Sequence, residues 1–122
     1  MLRMSYKELK VWQKSFACVA RIYRLTATFP STELYGLSSQ MQRAAISIPS
    51  NIAEGSQRTS DKEFANFLLI ARGSIAELET QILLAIELQY VPVEKVQGIL
   101  DELDAISRML HSFVSTLKAH RS

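Results

Sequence analysis

Apolar residues in this chain fall at helical spacing almost from end to end. In residues 5–29, Leu9, Trp12, Phe16, Val19 and Tyr23 recur every three or four positions, and Val11, Cys18, Ile22, Leu25 and Phe29 form a second line beside them. "SYKE" reads as a capping box, with Ser5 at the N-cap and Glu8 at N3, and Pro30 stops the helix. At about 100° per residue the two lines make an arc wider than one bundle core fills. A second helix is expected over 33–54, with Leu37, Met41, Ala44, Ile48 and Ile52 inward, a bend at Pro49, and Gly55 as its left-handed terminus. A third, over 61–89, opens on the capping box "SDKE" and turns Phe64, Phe67, Leu68, Ala71, Ile75, Leu78, Ile82 and Ala85 inward. The fourth, over 93–119, has Pro92 in its first turn and the line Val96, Ile99, Leu103, Ile106, Leu110, Phe113 and Leu117.

No strand pattern competes, and the connections near 30–32, 56–60 and 90–92 are a few residues each. Short connections make consecutive helices antiparallel neighbours. The expected fold is all-α, a single domain over 1–122 forming an up-down-up-down four-helix bundle. Leu69, Ala76 and Leu83 lie one heptad apart, off the inward line of the third helix. With the wide arc on the first helix, they point to a self-association surface.

Composition adds limits. Hydrophobic residues are 48% and charged residues 21% of the chain, ordinary for a soluble protein. The longest uninterrupted apolar runs, "FLLIA" and "ILLAI", are too short to span a bilayer, and the opening "MLRMSYKELK" has no apolar core of signal-peptide length. The one cysteine, Cys18, has no internal partner and sits in an apolar line, so it reads as a small buried hydrophobe in a reducing cytoplasm.

The net charge of +2 conceals an uneven distribution. Residues 1–30 hold six cations against one carboxylate, and residues 59–90 hold two cations against five. Lys7, Lys10, Lys14, Arg21 and Arg24 fall in one sector of the first helix, opposite its apolar arc, which makes them the candidate nucleic-acid contacts. No base-reading motif accompanies them, so binding to structured RNA or DNA would be driven by charge and shape. The alternative is an assembly or adaptor protein that binds no nucleic acid. There the same cations would face Glu77, Glu79 and Glu87 of a neighbouring copy.

Catalysis finds little support. Neither His111 nor His120 stands three residues after a glutamate, as a bundle di-metal site requires. A lone cysteine excludes a cysteine-rich zinc site, and the four glycines are too scattered for a phosphate loop. No enzyme activity, metal, cofactor or small-molecule substrate is expected. Glu54 and Glu79, which might have formed a carboxylate pair, are expected instead in an ion-pair network with Arg43 and Arg72.

On the second helix Gln40, Arg43, Ser47, Asn51 and Glu54 follow one another at helical spacing as a polar stripe. Serine and asparagine are weak helix formers, so their choice points to side chains that bind something. A structural hydrogen-bond network is the preferred reading. The segment carrying the stripe, "GLSSQMQRAAISIPSNIAEGS", with "EFANFLLIARGSIAELETQ" and "YKELKVWQKS", resembles the four-helix-bundle proteins encoded in 23S rRNA intervening sequences. That resemblance implies a small cytosolic bacterial protein of no established activity, whose relatives form five-membered rings, and it assigns no role to the stripe. More distantly the chain resembles the accessory protein of diversity-generating retroelements, a basic ring that binds nucleic acid and a reverse transcriptase.

Overall fold

The computed structural model describes residues 5–120. Its order is a 3₁₀ turn at Tyr6–Glu8, α1 at Lys10–Thr26, a second 3₁₀ turn at Ser31–Glu33, α2 at Leu37–Ser56, α3 at Asp61–Glu87 and α4 at Val93–Ala119. Helices adjacent in sequence pack side by side, and α4 closes the bundle against α1. The all-α four-helix bundle is therefore as expected, with no strand among the described residues. The packing is unequal: α2 against α3 is the most extensive seam and α1 against α4 the thinnest.

The first helix departs most from expectation. Ser5 caps only the short 3₁₀ turn, accepting from the Lys7 N–H at 3.3 Å, and Leu9 is extended before α1 begins at Lys10. The break lets Tyr6 fold back edge-on to Trp12, 5.3 Å between ring centroids. At the other end the hydroxyls of Thr26 and Thr28 donate to the carbonyls of Ile22 and Leu25, turning the chain away at Thr26, before Phe29.

The two apolar lines of α1 divide between core and surface. Val11, Cys18, Ile22, Leu25 and Phe29 are buried, whereas Phe16 and Tyr23 remain 59% and 44% exposed. The wide arc is thus half core and half surface.

α2 runs unbroken through the buried Pro49 to Ser56. Gly55 is not a left-handed terminus; it is helical and buried. A Cβ there would lie 2.6 Å from Phe67 Cβ, so the glycine serves close approach of α2 to α3. Met41, Ala44, Ile48 and Ile52 are buried as read from the pattern, with Leu37 half-buried. At the start of α2, Glu33 accepts from the Leu37 N–H at 3.0 Å and from the Tyr90 hydroxyl at 2.7 Å.

The α3 capping box forms: Ser60 Oγ accepts from the Glu63 N–H at 3.1 Å. Its inward line is buried except for the half-buried Phe67. Pro92 is the N-cap of α4 rather than part of its first turn, and Val114 joins the core beside Phe113, whose half-buried ring meets Phe64 edge-on.

Candidate nucleic-acid interface

Four of the five candidate cations lie on α1, where Lys10, Lys14, Arg21 and Arg24 share the edge that runs along α4. Lys7 does not join them. It belongs to the preceding 3₁₀ turn, with its ammonium 5.9 Å from the centre of the Tyr6 ring. Lys14 reaches across the seam to Glu102, Nζ to Oε1 3.2 Å, and the pair offsets its charge. Lys10 is exposed.

Arg21 and Arg24 are used differently. Arg21 lies against α4 where Gly98 leaves room; its Nη2 is 3.1 Å from the position a Cβ would take. Arg21, Arg24 and Lys95 then surround one groove of about 380 Å³, floored by Leu25 and Ile99 with Thr28 at its end. No carboxylate lines it. Such a groove suits an anion with some apolar surface, as a phosphate backbone with its sugar has.

Lys95 is the member that sequence reasoning missed. It stands alone at the start of α4, and nothing in its neighbourhood marks it; only the closure of α4 on α1 brings it to Arg21. A second groove, of about 290 Å³, continues along the seam past Lys14, Cys18 and Glu102. Burial pushes the Cys18 thiol up, against the opposing pull of Arg21 and Lys14, so Cys18 stays protonated and is a poor nucleophile.

The polar stripe divides. Ser47 and Asn51 turn toward α3, while Gln40, Arg43 and Glu54 stay exposed. Asn51 Nδ2 donates to Ser47 Oγ at 2.9 Å and to the Ser47 carbonyl at 2.8 Å, and the Ser47 and Ser74 hydroxyls are 2.8 Å apart. Ser74 in turn donates to the Ile70 carbonyl at 3.3 Å, an arrangement completed when Ser47 donates to Ser74. The chain of hydrogen bonds runs from Asn51 through both serines to the α3 backbone. Ser47 and Asn51 are thus hydrogen-bonded toward α3, with Ser74 as a partner no spacing on α2 could reveal.

The ion-pair network expected around Arg43 does not form as read. Glu54 pairs with Arg58 one turn on, at 3.1 Å. Arg72 turns to α4, its Nε donating to Ser107 Oγ at 3.5 Å and its Nη1 to His111 Nδ1 at 3.3 Å. Burial, and then the like charge of Asp104 on α4, push the Glu79 carboxyl up. The reason is rotation: α3 presents Ser74 to α2, and so offers Arg72 and Glu79 to α4.

Among the described residues no three His, Cys, Asp or Glu side chains gather as metal ligands, and no helix is long and apolar enough to cross a membrane.

No curated protein matches the chain. A solved structure from Bacteroides thetaiotaomicron, described as a protein of unknown function from the S23 ribosomal protein family, superposes with a TM-score of 0.77 at 29% identity. The match covers 85% of this chain and 97% of that one. The family model for the 23S rRNA-intervening sequence protein matches residues 7–112, which takes in α1, α2, α3 and most of α4. With the bundle and this match in hand, the chain belongs to the family of 23S rRNA-intervening sequence proteins.

Proposed function

We propose that this protein acts by binding rather than by catalysis, as a cytoplasmic homo-oligomer that holds structured RNA or other nucleic acid along its α1/α4 seam. The observation that carries the reading is the meeting of Arg21, Arg24 and Lys95 around one groove without a carboxylate in its lining. Cations from two helices set at fixed separation can hold neighbouring phosphates without the entropy cost of gathering them. Lys10 extends the surface along α1. No element reads base edges, so recognition is by charge and backbone shape.

The pentameric ring implied by the family resemblance would repeat this groove around an axis, which is how a chain of net charge +2 acquires a strong local field. The resemblance to the retroelement accessory protein points the same way. Assembly without nucleic acid is the second reading, favoured by the exposed Phe16, Tyr23, Leu69 and Leu83.

The test is titration of a labelled RNA hairpin at rising salt, with wild type and the triple variant Arg21→Glu, Arg24→Glu, Lys95→Glu. Wild type should bind at low salt with log affinity linear in log salt. The triple variant should weaken binding at least tenfold and reduce the slope by about 2–3, at about 0.9 per phosphate lost. Absence of binding at the lowest salt, or affinity untouched by the triple variant, overturns the nucleic-acid reading and leaves the assembly reading.

A further inference from the structure

We infer that the hollow between the end of α1 and the start of α2 binds a nucleobase. The site is separate from the α1/α4 groove and stands whether or not that groove holds a phosphate backbone.

The hollow has a volume of about 410 Å³, within the range of about 300–1,000 Å³ usual for small-ligand sites. Its walls are Tyr23 from α1, Phe29 and Pro30 from the connection, and Leu34. Phe29 is buried against the Tyr90 ring, 5.5 Å between centroids, and Tyr90 is anchored in turn by its hydrogen bond to Glu33. Part of the aromatic wall is therefore set before any ligand arrives, which lowers the entropy cost of binding. Tyr23 and Leu34 are 44% and 56% exposed.

The polar groups come from α2. Ser38 lines the hollow and is only 4% exposed, yet its hydroxyl has no hydrogen-bond partner among the described residues. Gln42, one turn on, is fixed through its Nε2, which donates to Thr26 Oγ1 at 3.0 Å. The Thr26 hydroxyl gives its own proton to the Ile22 carbonyl at 2.9 Å. Gln42 Oε1 is left as an acceptor without a partner among the described residues. No side chain charged at neutral pH lines the hollow.

These features define the occupant. A purely apolar group would cut Ser38 and Gln42 off from water and give no hydrogen bond in return. A charged group would lose its hydration without meeting a counter-charge. A flat, neutral heterocycle with nitrogen and oxygen atoms along one edge satisfies both conditions. Its faces lie against the apolar walls, and its edge meets the hydroxyl and the carboxamide. A nucleobase has that form. Adenine, whose N6 and N7 match a glutamine side chain, is the first choice.

A phosphate site lies within reach. Tyr23 and Ala27 border this hollow, while Arg24 and Thr28 border the α1/α4 groove, so the two flank the last turn of α1. Arg24 is exposed and follows Tyr23 directly. A base in the hollow can thus place its phosphate on Arg24, whether it belongs to a free nucleotide or to an unpaired position in a strand.

Calorimetric titration with adenosine monophosphate, ribose 5-phosphate and a short single-stranded oligoadenylate tests this on wild type, Tyr23→Ala and Ser38→Ala. Tyr23 is at the surface and Ser38→Ala removes one oxygen, so both variants should fold, which circular dichroism checks. Wild type should bind a ligand that carries the base and not ribose 5-phosphate. Tyr23→Ala should weaken that binding about tenfold or more, and Ser38→Ala about threefold. Binding of the mononucleotide makes a free nucleotide a sufficient ligand; binding of the oligoadenylate alone assigns the base to a strand. Failure of both to bind, equal binding of ribose 5-phosphate, or affinity untouched by both variants overturns the site. Displacement of the nucleotide by p-cresol at equal affinity gives the hollow to an aromatic side chain of a protein partner, and overturns it as well. A blunt RNA duplex offers phosphates and no unpaired base, so Tyr23→Ala should bind it as wild type does. A duplex left unbound while the mononucleotide binds overturns the α1/α4 reading and leaves this one standing.

Discussion

Gln89 carries a positive φ of 63° just past the end of α3. The Tyr90 N–H bonds the Ala85 carbonyl and the Gln89 N–H bonds that of Ile86, a Schellman ending in which glycine is the favoured residue. The left-handed conformation is costly for glutamine. Gln89→Gly should raise stability by about 0.5–1 kcal/mol, read as a higher thermal midpoint. Glu33 gives a second test at this scale. The Leu37 N–H, and then the Tyr90 hydroxyl, hold its carboxyl below the usual carboxylate range. A carboxyl depressed by folding contributes stability above its unfolded pKa, and that contribution is lost as pH falls through the folded value. Glu33→Gln should therefore be less stable than wild type at about pH 7, with the gap closing toward about pH 3 in urea titrations.

At the scale of elements, α2 and α3 form the rigid half of the bundle, and Gly55 sets their distance of approach. Gly55→Ala gains helix propensity but drives a methyl to 2.6 Å from Phe67 Cβ and 3.0 Å from Phe64 Cδ1. Phe67 Cβ is tied to the α3 backbone and cannot step aside. A net loss of about 1–2 kcal/mol is expected by chemical denaturation, overpacking exceeding the propensity gain. Gly55 was legible as special and illegible as to why. A glycine after an apolar run fits a helix terminus equally well, and only the neighbour's aromatic residues distinguish the two. The first helix shows the same limit. Both apolar lines of α1 were visible in the pattern, but which of them faced the core depended on where α2 and α4 lay.

On the scale of the whole molecule, the cations form a graded series set by their partners across the seam. Lys14 is engaged by Glu102, whereas Arg24 opens into the groove with Arg21 and Lys95. If the seam binds nucleic acid, Arg24→Ala should weaken RNA affinity about fivefold at low salt, on the order of 1 kcal/mol. Lys14→Ala should weaken it less, because its charge is already offset. Equal losses from the two would show that net charge, and not the groove, governs binding.

Helical period and the Ser60 capping box were sufficient for four helices, because they depend on each residue and its neighbours within a turn or two; the first connection, expected near 30–32, instead runs over 27–36 and holds a 3₁₀ turn. The Ser47–Asn51 network was half legible for the same reason: the weak helix formers stood out on α2, and their partner Ser74 did not. Everything that rests on the rotation of one helix against another was settled by packing. That includes the exposure of Phe16, the turn of Arg72 toward α4, and the arrival of Lys95 beside Arg21 from the far end of the chain. Period records which residues share a face of a helix; it holds no record of which helix that face will meet.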